Sequence, residues 1–181
     1  GAAWYSWEWA ADVAMGLAHR AGGLAGVAVL YAMLIGVATY LWFQLQWQAG
    51  SDFLLALVAA IPMIAATSLH WLARPHVFGW VLLLLGVLLA EKASTERRGF
   101  GLAAAALLSA CWANVHGSFF LFPLVLVLYA AGEVAGVLLL GRGDAGRARL
   151  LAVMAVVAGV AALANPYGWN LFAHVHRYLT D

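Results

Sequence analysis

Long runs of apolar residues separated by short polar breaks dominate this sequence. Six runs occupy residues 22–45, 53–72, 77–90, 100–115, 118–140 and 150–164. A helix needs roughly 20 predominantly apolar residues to cross the hydrocarbon layer of a bilayer, and the shortest run, 77–90, can cross only with tilt or local thinning. The pattern predicts an all-α fold, a polytopic transmembrane helix bundle of about six spans.

Aromatic-rich segments at both ends of the sequence are too polar to cross a bilayer. Residues 1–21 hold three Trp, two acids and a His, and residues 166–181 hold four aromatic residues and two His. Trp and Tyr concentrate at membrane interfaces, where amphipathic helices lie in the plane of the headgroups. We predict one transmembrane domain over 1–181, with an outer interfacial helix at 1–21, six spans at 22–165 and an outer interfacial tail at 166–181.

Basic residues are unevenly distributed among the predicted loops. Six of the nine Lys and Arg residues lie in two connections, 91–100 and 141–149. Short cytoplasmic loops of membrane proteins carry an excess of Lys and Arg, so these two connections are predicted to face the cytoplasm. Six alternating spans also place the 46–52 connection on the cytoplasmic side, although it has no basic residue. The first interfacial helix, the turns at 74–76, 114–117 and 165–168 and the tail, with all six His on or near them, then face outward.

Composition narrows the classes of function. The chain is 66% apolar and 9% charged, whereas about a quarter of the residues of a soluble domain are charged, so lipid must be its main solvent. A formal net charge of +1 with scattered basic residues argues against a nucleic-acid partner, which would need a concentrated basic face. Cys111 is the single cysteine and cannot form an internal disulfide.

Two carboxylates near the start of the sequence are candidates for chemistry. Glu8 and Asp12 are four residues apart, so a helix places both on one face, and His19 continues that stripe. Such a set can supply a general base, a metal ligand or an acceptor for sugar hydroxyls. The alternative is the solvated face of an amphipathic helix.

Polar residues at two predicted outer turns form a second candidate group. Arg74 could bind a phosphate through two parallel hydrogen bonds, or it could extend to lipid headgroups. His76 beside it could cap helix carbonyls instead of binding a ligand. Asn114 and His116 precede the helix-breaking Gly117, and irregular backbone within a membrane is tolerated where it lines a cavity. A plain helix hairpin with a capping His is the alternative there.

The histidines do not select a cofactor. His174 and His176 are two residues apart and point away from each other on a helix, so only an extended segment would direct both at one metal ion. A haem or chlorophyll needs one axial His, so a pigment is permitted, but nothing in the spacing favours one. No metal site is predicted, and the identity of any cofactor stays unknown.

Four motifs together resemble a family of bacterial multi-pass membrane proteins in the glycosyltransferase C superfamily. The motifs are EWAADV (8–13), RPHVF (74–78), WANVHGSF (112–119) and NPYGWNL (165–171). Their order and their shared predicted side carry the resemblance, which runs along nearly the whole chain. It implies a protein of the bacterial inner membrane that transfers a sugar from a polyprenyl-phosphate carrier at the extracytoplasmic face, by an inverting single displacement.

The resemblance also implies roles for seven residues: Glu8, Asp12, His116, Arg74, His76, Asn114 and Arg177. The two acids would polarise the acceptor hydroxyl, and the two arginines would hold the phosphate of the carrier. The two histidines and the asparagine would orient the sugar or the leaving group. The predicted site thus has Glu8, Asp12 and His116 as its catalytic residues, and the other four bind substrate.

The resemblance leaves open whether the chain is an enzyme by itself. The usual acid of the superfamily lies near the end of a first transmembrane helix, which has no counterpart here, so we expect the sequence to be a fragment that lacks this helix. The competing interpretation is a non-catalytic transmembrane subunit, whose Gly- and Ala-rich faces would pack within a larger membrane complex. Membrane lipid is an expected partner in both cases.

Overall fold

The computed structural model describes residues 6–180, which are helical almost throughout and contain no β-strand. Seven helices follow one another: α1 (Trp9–Gln48), α2 (Phe53–Ser68), α3 (His76–Glu91), α4 (Arg98–Val115), α5 (Leu121–Leu140), α6 (Ala145–Ala161) and α7 (Trp169–Thr180). Short 3-10 turns, Thr95–Arg97 and Gly117–Phe120, lead into α4 and α5. The predicted all-α class is therefore confirmed.

Two helical stretches of the described chain are long and apolar enough to cross a membrane, Trp9–Gln48 and Gly117–Leu140. A third arises if α3 and Thr95–Val115, which are bent by 115° relative to each other, are counted as one span. The 16 residues of α2 extend only about 24 Å, less than the roughly 30 Å hydrocarbon layer. These features fit a membrane protein, but the predicted count of six spans is not confirmed.

A sharp bend divides α1 at the position where the first span was predicted to begin. Gly22 and Gly23 have non-helical backbone angles, and the φ of +60° at Gly23 is one that side-chain-bearing residues rarely adopt. The segment before the bend folds back, because the Tyr31 hydroxyl lies 3.0 Å from the Met15 sulfur. Residues 9–21 thus pack on their own continuation, and their location in a membrane interface stays a prediction.

The main core lies among α4, α5 and α6. Trp112, Phe122, Leu151 and Met154 are fully buried there. Gly86 of α3 contacts this core so closely that an added Cβ would lie 2.7 Å from a ring carbon of Phe122. The glycine therefore allows α3 to approach α5.

At the end of the bundle that contains residues 90–97 and 133–147, one arginine, Arg147, joins three helices. The guanidinium of Arg147 donates hydrogen bonds to the carboxylate of Glu133 and to three carbonyl oxygens at and just beyond the end of α3: Ala90 at 2.9 Å, Glu91 at 3.1 Å and Ala93 at 3.1 Å. A cation at a helix C-terminus satisfies free carbonyls and interacts favourably with the helix dipole. We call this group the arginine clasp; it ties α3, α5 and α6 together.

The opposite end contains the turns at 69–75, 116–120 and 162–168. The last of these is built by Asn165, whose side chain accepts a hydrogen bond from the Tyr167 N–H at 2.8 Å, and by Gly168 at a φ of +52°. The Tyr167 hydroxyl accepts the Ser6 N–H at 2.9 Å, so this turn holds the segment that precedes α1. The start of the described chain is thereby fixed beside the turn that leads into α7.

Candidate functional site

A cavity of about 410 Å³ lies at this second end of the bundle. Its walls come from the segment before α1, the turn between α2 and α3, the turn between α4 and α5, and α7. The polar side chains that line it are Glu8, Arg74, His76, His116, Ser118 and, from α7, Tyr178. We call it the polar cavity. Four separate segments therefore bring ionisable groups to one place.

Glu8 and His116 form a direct contact in the polar cavity. The Nε2 atom of His116 lies 3.2 Å from a carboxylate oxygen of Glu8, and about a quarter of each side chain is exposed. The backbone N–H of Ser118 points at Nδ1 of the same ring, at 3.1 Å. Because an N–H can only donate, Nδ1 must accept, and the neutral ring carries its hydrogen on Nε2. His116 therefore donates to the Glu8 carboxylate.

The surroundings shift the pKa values of both groups. Burial, with a smaller contribution from His76, lowers the pKa of His116 to about 4. Burial, with a smaller contribution from Asp12, raises the pKa of the Glu8 carboxyl. Desolvation disfavours the charged form in each case. Near neutral pH the contact is thus a hydrogen bond from a neutral imidazole, and Glu8 is a stronger base than an ordinary glutamate.

Neighbours on two sides, Ser118 and Gly79, fix the His116 ring. The Ser118 hydroxyl lies 2.7 Å from Nδ1 and accepts the indole N–H of the buried Trp112 at 3.2 Å. Gly79 of α3 passes on another side, where an added Cβ would lie 3.2 Å from the Ser118 hydroxyl oxygen and 3.6 Å from Nδ1. Ring orientation and tautomer are therefore set by neighbours before any ligand binds.

Arg74, in the turn before α3, and His76, the first residue of α3, also line the polar cavity. The Arg74 side chain is exposed and makes no hydrogen bond within residues 6–180. Nε2 of His76 lies 2.9 Å from the carbonyl oxygen of His70, so this nitrogen donates and caps the preceding turn. His76 was considered as a cap for helix carbonyls, whereas the carbonyl it binds belongs to the turn beyond the end of α2. No described residue accepts a hydrogen bond from the Arg74 guanidinium, so its donors face the cavity for a ligand.

Three of the predicted site residues do not line the polar cavity: Asp12, Asn114 and Arg177. Asp12 is exposed on α1, and Arg177 is exposed on α7, where its Nε donates to the Ala173 carbonyl. Asn114 accepts the Trp9 indole N–H and donates to the carbonyls of Ala110 and Ala164, each at 2.8 Å. The structure therefore gives Asn114 a bracing role between α1, α4 and the end of α6.

Aromatic residues that the sequence interpretation treated only as interfacial anchors form a wall of the cavity. Trp7 lies against Gly117, where an added Cβ would be 3.4 Å from the indole ring. The same indole packs edge-on to His174 and Tyr178, with ring centroids 4.7 and 5.2 Å apart. One sequence signal could have identified Trp7 as part of the cavity: it directly precedes the candidate site residue Glu8, and residues adjacent in the chain lie close to the same groups. Trp7 thus joins α7 to the polar cavity.

No group of three or more His, Cys, Asp or Glu that could hold a metal ion occurs among the described residues. His174 is directed at Trp7, whereas His176 two positions later is exposed on α7. The chemistry of the cavity is accordingly considered for the carboxylate, imidazole and guanidinium groups that line it.

Comparison with known proteins adds no relative: no protein-family model, no curated protein and no solved structure matches the chain.

Proposed function

We propose that this chain is a glycosyltransferase-like membrane domain that takes a sugar from a polyprenyl-phosphate carrier in the polar cavity. The observation that carries the proposal is that Arg74, whose guanidinium makes no hydrogen bond within residues 6–180, shares a cavity of about 410 Å³ with the hydrogen-bonded pair of Glu8 and His116. Ligand sites commonly have volumes of roughly 300–1,000 Å³ with a few convergent polar groups. The cavity has the size and the groups for a phosphorylated sugar.

Arg74 is the group suited to the phosphate. A guanidinium presents a planar set of donors that matches two phosphate oxygens, and its charge is permanent. Among the residues that line the cavity it is the one permanent cation. It would hold the carrier and compensate the negative charge that develops on the phosphate as the sugar departs.

Glu8 is the group suited to the acceptor. The acceptor hydroxyl oxygen would attack the anomeric carbon, its proton would pass to the Glu8 carboxylate, and the bond from that carbon to the phosphate oxygen would break. The polyprenyl phosphate would leave with the bonding electrons. Because burial raises the pKa of Glu8, this carboxylate takes a proton more readily, and the His116 Nε2–H keeps it oriented.

We also propose a membrane topology that fits this function. Six crossings would place all the turns of the polar cavity on one side and the arginine clasp on the other. Lys92, Arg97, Arg98 and Arg142 flank the clasp and favour the cytoplasm for that side, by the bias of basic residues toward cytoplasmic loops. The polar cavity would then open at the extracytoplasmic face of the inner membrane.

Binding of undecaprenyl phosphate to the detergent-solubilised chain tests the proposal, with the uncharged polyprenol as the matched ligand. Loss of hydrogen bonds to a charged group typically costs about 1.5–3 kcal/mol, so we expect Arg74→Gln to weaken phosphate-carrier binding roughly 10- to 100-fold. Binding of the polyprenol should not change. Arg177→Gln removes an equally exposed arginine outside the cavity and should keep wild-type affinity.

The catalytic half of the proposal needs a separate measurement. Glu8→Gln should keep affinity for undecaprenyl phosphate but reduce release of that phosphate from polyprenyl-phosphate hexoses in proteoliposomes, by roughly 100-fold or more. Glu96→Gln, which removes an exposed carboxylate at the clasp end and outside the cavity, is the control. Equal carrier affinity in Arg74→Gln and wild type would contradict the site, and the non-catalytic subunit of a membrane complex would become the better proposal.

A further inference from the structure

A second binding feature lies between α5 and α6, away from the polar cavity. Two adjoining cavities of about 490 and 500 Å³ share Val127, Ala130 and Ala152, so they form one continuous groove. It follows α5 from Pro123 to Leu138, roughly 22 Å at 1.5 Å per residue. That length exceeds one hydrocarbon leaflet, which is about half of a 30 Å layer.

The groove is apolar except at one end, the end of the arginine clasp, where Arg149 lines it. Arg149 is exposed and makes no hydrogen bond or ion pair within residues 6–180, although Arg147 two positions earlier is fully engaged in the clasp. Among the described residues, no acidic side chain lines either part of the groove. One uncompensated cation therefore stands at the mouth of an apolar channel.

We propose that this groove binds an anionic phospholipid, with one acyl chain along α5 and α6 and the phosphodiester at Arg149. An acyl chain matches the apolar walls formed by Leu124, Val127 and Val134, which are exposed on the surface of the bundle. Basic pockets between membrane helices are known to bind anionic headgroups. The Arg149 guanidinium can donate two parallel hydrogen bonds to the phosphodiester oxygens at the end of the groove.

A second copy of the chain fits the groove less well than a lipid does. Copies inserted into one membrane have the same orientation, so a two-fold dimer through this groove would bring two Arg149 side chains to the same depth. Because no acid lines the groove, these charges would repel each other without compensation. A phosphodiester instead neutralises the cation, and its acyl chain fills the apolar space.

Native mass spectrometry of the detergent-purified chain tests this inference. The chain is incubated with phosphatidylglycerol or with phosphatidylcholine of the same acyl chains, and retained adducts are counted as collision energy rises. We expect phosphatidylglycerol to be retained several-fold better by the wild type. Arg149→Gln should remove that preference, while Arg97→Gln, which removes an exposed arginine at the same end but outside the groove, should keep it.

A variant in the apolar part of the groove distinguishes lipid binding within the groove from attraction of the anionic headgroup to a surface charge alone. Ala152→Phe fills the segment shared by both cavities and should lower adducts of both lipids with Arg149 intact; Ala152→Leu is the smaller insertion if the first variant folds poorly. Equal loss of phosphatidylglycerol in Arg149→Gln and Arg97→Gln would overturn the site. So would dimers that disappear in the Ala152 variants, because they would show a second copy as the occupant.

Discussion

The two ends of the bundle treat an arginine in opposite ways. At the clasp, the donors of Arg147 are directed at Glu133 and at carbonyl oxygens at the end of α3. At the polar cavity, Arg74 is exposed and has no hydrogen-bond partner within residues 6–180. The comparison teaches that a charged residue near a membrane helix end is structural where the protein itself satisfies it, and becomes a candidate for binding where the protein leaves its donors free.

The glutamates at the two ends of the bundle, Glu133 and Glu8, also differ in how their charge is compensated. Glu133 accepts from Arg147 and, through its other oxygen, from the Asp144 N–H at 3.0 Å. Glu8 accepts from a neutral His116, and burial and Asp12 raise the pKa of its carboxyl. A carboxylate paired with a cation, such as Glu133, stabilises the fold. A carboxylate whose partner is neutral, such as Glu8, binds a proton more strongly and can act as a base.

Replacing Arg147 should have the largest effect on stability. Arg147→Gln leaves the mostly buried Glu133 without its cation and frees carbonyls at the end of α3, and loss of one partner of a buried pair typically costs about 3–5 kcal/mol. The free energy of unfolding in bicelles measures the change. Arg142→Gln, in the loop just before α6 and exposed, should stay within about 0.5 kcal/mol. Equal losses of unfolding free energy in the two variants would show that the clasp stabilises the fold no more than an exposed arginine does.

Acidification should produce the next largest effect, at the cavity end. The pKa of His116 is lowered to about 4 from an ordinary 6.5, so the unfolded chain binds the proton first, and the stability due to the neutral ring is lost as pH falls from 6.5 toward 4. The raised pKa of Glu8 acts in the opposite direction, since a raised carboxyl pKa favours the folded state at low pH. Protonation of Nδ1 would also place a donor against the Ser118 N–H.

We expect the His116 contribution to be roughly 2 kcal/mol after allowance for partial exposure of the ring. The measurement compares the unfolding free energy of the wild type and His116→Gln between pH 7.5 and 4, because contributions from the groups that the two proteins share are removed in the difference. A constant difference across that range would mean that His116 titrates in the folded protein as it does in the unfolded chain.

Replacing Arg74 should have the smallest effect on stability. Because its side chain makes no hydrogen bond within the described chain, Arg74→Gln should change the unfolding free energy by less than about 0.5 kcal/mol. The same variant is expected to lose affinity for undecaprenyl phosphate, so stability and binding separate at this position. A stability loss comparable to that of Arg147→Gln would make Arg74 a structural residue and remove the contrast between the two ends.

Sequence patterns anticipated the helical class, the break at Gly22 and the turns at Arg74 and His116, because these depend on local composition and on backbone preferences of Gly and Pro. They also anticipated that Glu8 and His116 share one end of the bundle, which the cavity bears out in geometry. Which membrane face this end occupies stays a prediction. Span length was overestimated at α2, which ends at Ser68, whereas the apolar run continues to residue 72 through a turn.

Residue roles within the site were less accessible to sequence reasoning. The expected common face of Glu8 and Asp12 assumes one helix, but α1 begins at Trp9 and Glu8 precedes it with non-helical angles. Asn114 is occupied by carbonyls of its own helix and of the chain after α6, a neighbour that periodicity does not reveal. Arg147 was grouped with loop cations, although its position in the first turn of α6 directs it at the end of α3. Each of these roles depends on which helices pack together, and that packing cannot be read from the sequence pattern.

The contact between Trp7 and Tyr178 has a consequence for the order of assembly. These residues stand near the two ends of the described chain, yet their rings lie 5.2 Å apart on one wall of the polar cavity. The clasp joins parts of the chain that are much closer in sequence, and contacts of long sequence separation form later because they close larger loops. During synthesis the chain can therefore complete its clasp before α7 has emerged, and the polar cavity is finished only once α7 packs against Trp7.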